Sequence, residues 1–158
     1  MEIDRLTLET LRNIPLLIEG YFKNIPETAL DRRRTEEAWT IREHLYHIAS
    51  VQEMLLGRIE TIRDEERPVI SPFFPETQTE QGKLYASVEA AFSHYRGMRN
   101  KQIETIRAID AEALEKEAIH AEYSSYGIPI IVNHMIFHEY WHMYRIEELW
   151  LTRDEYLQ

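Results

Sequence analysis

Cysteine is absent from this chain of 158 residues, so disulfides, thiolate metal sites and a cysteine nucleophile are all excluded. Glycine is scarce, at five residues, and strongly alternating β-branched runs are missing, which leaves helices as the expected element. No apolar run approaches the roughly 20 residues of a membrane span, and no stretch resembles a signal peptide. The expectation is a cytosolic (cytoplasmic) protein with no membrane partner. Positive charge is short: 18 Lys and Arg stand against 28 Asp and Glu, and the net charge of −10 disfavours nucleic acid or an anionic membrane as partner. What remains, 44% hydrophobic and 29% charged, is an ordinary globular balance. The length suits one domain over residues 1–158, built on a single core.

Four helical patterns are separated by two long connections. The first spans about Asp4 to Asn24, with Leu6, Leu11, Ile14, Leu17, Ile18, Tyr21 and Phe22 as its buried stripe. Pro15 lies inside it and either kinks the helix or opens a second segment. The second begins at a capping box, Thr40-Ile41-Arg42-Glu43, and keeps helical spacing from Leu45 through Ile48, Val51, Leu55 and Ile59 to about Asp64. Pro68, Pro72 and Pro75 mark a loop. Thr77-Gln78-Thr79-Glu80 offers another capping box, which predicts a third helix from there to about Ala108 on Leu84, Val88, Ala91, Tyr95, Met98 and Ile106. Residues 110–127 are expected to hold a short helical turn and an irregular segment. Gly127-Ile128-Pro129 opens the fourth helix, with Ile131, Met135, His138, His142, Ile146 and Leu149 on its inner face. The pattern predicts an all-α four-helix bundle.

The chemistry lies in His138-Glu139-Tyr140-Trp141-His142 and in His47 upstream. Two histidines at i and i+4 sit one turn apart on one helix face, about 6 Å along the axis, so both can reach one metal ion. The pentapeptide also matches H-E-x-x-H, in which the glutamate polarises a water on the metal. Glu139 is thus a candidate general base, at about 100° from His138 and about 60° from His142 around the helix, with a solvent-facing glutamate as the equally weighted alternative. The third ligand of a metalloprotease is missing: the later ligand position of the metzincin pattern holds Glu148, about 9 Å beyond His142, and few residues follow. It must come from upstream, and His47, close to the inward arc of the second helix, can supply it.

His134 forms a rival i, i+4 pair with His138. Parallel second and fourth helices would match His47 to His134 and His138; antiparallel ones favour His138 and His142. The long proline-rich connection permits a crossover that leaves helices two and three parallel, and a simple reversal would then make the fourth antiparallel to the second. The other connection is also long, so spacing leaves both dyads open. His44, near Trp39, suits a packing role at the helix start. Glu43 or His134 could add a fourth ligand or support the others. Arg145 could hold an anionic substrate, although a salt bridge is favoured. Tyr140, Trp141, Tyr144 and Trp150 suit helix packing or a dimer surface. His94 and His120 have no partner at ligand spacing. A di-iron carboxylate site finds only Glu117-x-x-His120, which falls in a connection.

Trp39-Thr40-Ile41-Arg42-Glu43-His44-Leu45-Tyr46-His47-Ile48 resembles the second-helix signature of the DinB/YfiT-like metalloenzymes of the DinB superfamily. The run from His134 to His142 is similar to that family's histidine-rich segment. The resemblance covers nearly the whole chain. It implies a bundle in up-down-down-up order, often a homodimer, with His47, His138 and His142 holding a divalent metal, usually zinc or nickel. It further implies a metal-dependent hydrolase or a transferase of a low-molecular-weight thiol, acting on a small-molecule substrate. A non-catalytic metal- or ligand-binding bundle is the alternative. Many members carry Gly-Gln two residues after the last histidine, where this chain has Tyr144-Arg145.

Overall fold

The computed structural model describes residues 3–73 and 84–156. Helix α1 spans Arg5–Phe22, and the Asp4 side chain caps it by accepting a hydrogen bond from the Thr7 amide at 2.7 Å. Its buried stripe is Leu11, Ile14, Ile18 and Phe22. Leu6 and Leu17, expected in that stripe, are 70% and 54% exposed. At 100° per residue Leu17 lies about 120° from the centre of the stripe, so the apolar arc is narrower than composition suggests. Pro15 sits inside one continuous helix. Having no N–H, it leaves the Leu11 carbonyl without its helical donor, and the Arg99 guanidinium donates to that carbonyl at 2.9 Å instead.

Helix α2, Ile41–Asp64, begins at the expected capping box: the Glu43 amide donates to Thr40 Oγ1 at 3.1 Å, and the Thr40 amide donates to Glu43 Oε2 at 2.7 Å. Helix α3 is Val88–Ala108, and the Ser87 side chain caps it. That start is later than the sequence pattern placed it. Leu84 lies outside the helix and is exposed, while Thr77-Gln78-Thr79-Glu80 lies outside the described residues. A short helix α4, Ala111–Leu114, follows. The long helix α5 spans Ile128–Leu151, with Pro129 in its first turn.

The two long connections are not wholly irregular. Strands β1, Val69–Ile70, and β2, Ile119–His120, pair in parallel, with Val69 opposite Ile119 and Ile70 opposite His120. Only Ile70 and His120 of the four turn inward. Such short strands lack enough alternation to be legible as sequence pattern, yet they tie one connection to the other and hold His120 inside.

Contacts fix the helix directions. Leu11, Glu19 and Phe22 of α1 meet Arg99, Arg96 and Phe92 of α3 in reversed order, so these helices are antiparallel. Tyr46 and Gln52 of α2 meet Tyr85 and Gln102 in the same order, so α2 and α3 run parallel. His44 and His47 face His142 and His138, so α2 and α5 are antiparallel. The four long helices therefore follow up-down-down-up order, with the first long connection as the crossover. No helix among the described residues is long and apolar enough to cross a membrane.

Candidate metal centre

Antiparallel α2 and α5 bring His47, His138 and His142 together, with one ligand atom of each within 4.8 Å of the others. His138 Nε2 lies 3.1 Å from His47 Nε2 and 3.1 Å from His142 Nε2. Zinc–nitrogen bonds of 2.0–2.1 Å in a tetrahedral shell separate neighbouring nitrogens by roughly 3.3 Å, so the donor set fits such an ion without rearrangement. His47 and His142 are buried and His138 is half-buried. Trp39 covers the cluster, its ring 4.7 Å from that of His47 and stacked at 5.7 Å on His142.

Burial pushes the His47 imidazole down to about 4, with nearby His44 adding to the effect. His138 is pushed down to about 3 by burial and by His47 and His134, and His142 is lowered further by burial and its three neighbouring histidines. All three are neutral at pH 7 and offer lone pairs rather than protons. The same depression makes the metal-free protein acid-labile. Below the unfolded value of about 6.5 the unfolded chain takes up protons that the folded chain refuses. Each such imidazole lowers stability by up to about 1.4 kcal/mol per pH unit between there and its folded value, and contributes nothing above it. The urea midpoint of chelator-treated protein is expected to be clearly lower at about pH 5 than at pH 7, and flat from about pH 7 to 8. Equal midpoints at pH 5 and 7 would contradict this picture.

His44 is more than a packing residue. It does meet Trp39, at 5.4 Å between rings, but its Nδ1 also lies 2.8 Å from His142 Nδ1. With His142 Nε2 facing a metal, its Nδ1–H donates to His44 and holds the ring in place. The spacing of His44 and His47 on α2 was the available signal, and the partner one helix away was not visible. His134, the rival partner of His138 and a candidate fourth or supporting ligand, is not in the three-histidine cluster. It instead stacks on His138 at 5.6 Å and faces a cavity, half-buried, with its pKa lowered by burial and by Arg58.

Two expected roles are displaced. Glu139 is wholly buried and absent from the cavity wall: its Oε1 accepts from Gln52 at 3.0 Å and from Arg99, and Tyr95 stands beside it. Enclosed between α2, α3 and α5, it does not face the histidine cluster and is not placed to act there as a general base. Burial raises its pKa, with Arg99 opposing. Glu43 is held by the capping box and is not on the cluster. Arg145 pairs with Glu148 at 2.5 Å, as favoured, and lines the cavity with its guanidinium 6.0 Å from the Trp141 ring centre. His120 accepts from the Glu122 amide at 3.2 Å and also lines the cavity, carried there by β2. His94 contacts the Tyr85 hydroxyl, away from the cluster. The cavity measures about 580 Å³ and opens directly onto the histidines.

Fold and cluster together define a four-helix bundle in up-down-down-up order with three convergent histidines at an internal cavity. The chain belongs to the DinB superfamily, whose model matches residues 11–153. Among solved structures it is similar to YfiT from Bacillus subtilis, described as a probable metal-dependent hydrolase with an unusual four-helix bundle topology. That likeness has a TM-score of 0.79 at 15% identity and covers 94% of this chain and 88% of that one. Two proteins of Oceanobacillus iheyensis, each named a putative metal-dependent hydrolase, are also similar. One is 20% identical over 147 residues, covering 93% of this chain and 86% of its own length. The other is 22% identical over 151 residues, covering 91% and 87%.

Proposed function

We propose that this chain is a metal-dependent enzyme that acts on a small molecule in the 580 Å³ cavity, with His47, His138 and His142 as ligands of a divalent ion, zinc or nickel. The observation that carries the reading is the convergence of three neutral imidazole nitrogens at the cavity wall. A fully enclosed structural site would have no such opening and would include a fourth protein ligand. When bound, the ion would supply Lewis-acid activation of a water, for hydrolysis, or of a small thiol, for transfer. The names of the relatives favour hydrolysis. The enclosure of Glu139 removes the base that the H-E-x-x-H protease pattern requires. His134, on the cavity wall beside His138, is better placed to accept a proton there.

Cobalt(II) substitution tests the reading. One cobalt per chain is expected, with visible bands that shift on adding acetohydroxamate or a small thiol. Bands indifferent to both would mean a closed coordination shell and a structural ion. The reading includes a homodimer. Phe137, Tyr140 and Tyr144 stand exposed at i, i+3 and i+7 on α5, an aromatic stripe suited to a second copy. Light scattering should give twice the chain mass, falling to one chain in Phe137→Glu/Tyr144→Glu. A wild-type monomer at high protein concentration would refute the dimer.

A further inference from the structure

Opposite the histidine cluster the cavity wall changes character. From His47, α2 presents Val51, Met54, Leu55 and then Arg58 to the cavity, at i+4, i+7, i+8 and i+11. Arg58 therefore stands about 16 Å along the helix from His47, beyond two apolar turns. Phe73 and Tyr123 line the same stretch. Arg58 is fixed from behind: Nη1 donates to the Tyr126 hydroxyl at 2.8 Å and Nη2 to the Ser71 carbonyl at 2.7 Å. Both partners are uncharged, and a guanidinium has five N–H donors, so charge and donors are left over.

The other cavity arginines differ. Arg145 and Arg34 share the Glu148 carboxylate. Glu122 also lines the cavity, but no ion pair joins it to Arg58 among the described residues. Among the described residues the lining thus carries a positive excess, inside a chain of net charge −10. A fixed guanidinium with no ion-pair partner among the described residues, beyond two apolar turns of α2, suits one negative charge on a planar group.

We propose that the cavity takes a small carboxylate with an apolar body, the carboxylate on Arg58, the body along Val51, Met54 and Leu55, and the reacting end at the histidine cluster. The placement of the reacting end rests on the metal-centre reading; the grip of Arg58 does not. The substrate class is accordingly an acid bearing its reactive bond several atoms away from the carboxylate.

The test uses 4-phenylbutyrate and its neutral isostere 4-phenylbutanamide on chelator-treated protein, so that no ion competes for the acid. Trp39 and Trp141 line the cavity, and their fluorescence reports binding. The acid is expected to bind at least about tenfold more tightly than the amide, the ratio typical of a charge-assisted contact over a neutral one. In Arg58→Gln the ratio should fall to about one, with the affinity for the amide unchanged. Arg58→Lys, which keeps the charge, should retain part of the preference and serves if the Gln variant fails to fold. Equal binding of acid and amide to the wild type overturns the carboxylate class. A preference that survives in Arg58→Gln overturns the assignment to Arg58. Failure of the wild type to bind metal would instead strike the metal-centre reading alone, because the acid and amide are compared without metal.

Discussion

Alanine at His47, His138 or His142 is expected to abolish stoichiometric metal binding, each change lowering affinity by at least about 100-fold. The Nε2 atoms of His47 and His142 each lie 3.1 Å from that of His138, so no nearby nitrogen can substitute for a missing one at the same point. His44 is the nearest candidate, but its Nδ1 is directed at His142 Nδ1. His44→Ala should therefore keep one ion per chain while weakening it by about 10- to 100-fold, the usual effect of losing a residue that orients a ligand. His134→Gln should leave affinity within a few-fold, since His134 only stacks on His138. The measurement is zinc content after stripping, reloading and dialysis against a competing chelator, with circular dichroism to establish folding. Full zinc in the His47 variant would sink the three-ligand centre. Loss of zinc in His134→Gln with retention in His142→Gln would move the centre one turn along α5.

Two helix starts with their own chemistry were legible in the sequence, whereas the Ser87 cap of α3 was not. Thr40 and Glu43 cap α2 as their spacing predicts, and Gly127 with Pro129 opens α5. The direction of α5 did not follow from spacing, because both connections are long; the resemblance implied the antiparallel order, and the facing of His44 and His47 with His142 and His138 shows it. Facing matters more than period, and there the sequence is weaker. Leu17 is as apolar as Ile18, yet one step around the helix takes it from core to solvent. Glu139 shows the same limit: its neighbour His138 faces the cavity, and the next 100° of helix faces the bundle interior. Arg99, 40 residues away, and Gln52 on α2 hold a carboxylate there, and neither is visible from the period of α5. His44 and His120 were visible as residues but not as neighbours of the site, since their placement depends on the facing helix and on a two-residue strand pair.

Replacing Arg99 with Met should cost about 3–5 kcal/mol of folding stability, the range for stranding one member of a buried ion pair. Arg99 is 1% exposed and Glu139 is 0% exposed. The Arg99 guanidinium donates to the Leu11 carbonyl at 2.9 Å, to Gln52 Oε1 at 3.1 Å and to Glu139 Oε1. Gln102 donates to the Gln52 carbonyl at 2.9 Å and to its side-chain oxygen at 3.1 Å, which closes the network around α2. Without Arg99, three buried acceptors lose a donor at once: the Glu139 carboxylate, which keeps the neutral Gln52 amide, Gln52 Oε1, which keeps Gln102, and the carbonyl that Pro15 leaves open. The double variant Arg99→Met/Glu139→Leu should recover a large part of the loss, because an apolar pair of similar volume carries no stranded charge. Both variants should still take up one zinc, since the network lies on the face of α5 turned away from the cavity. Urea denaturation and zinc content measured on the same samples decide the matter. An Arg99→Met midpoint unchanged from wild type would show that Glu139 is not ionised in the core. Zinc lost from a folded Glu139→Gln protein would return Glu139 to the metal centre.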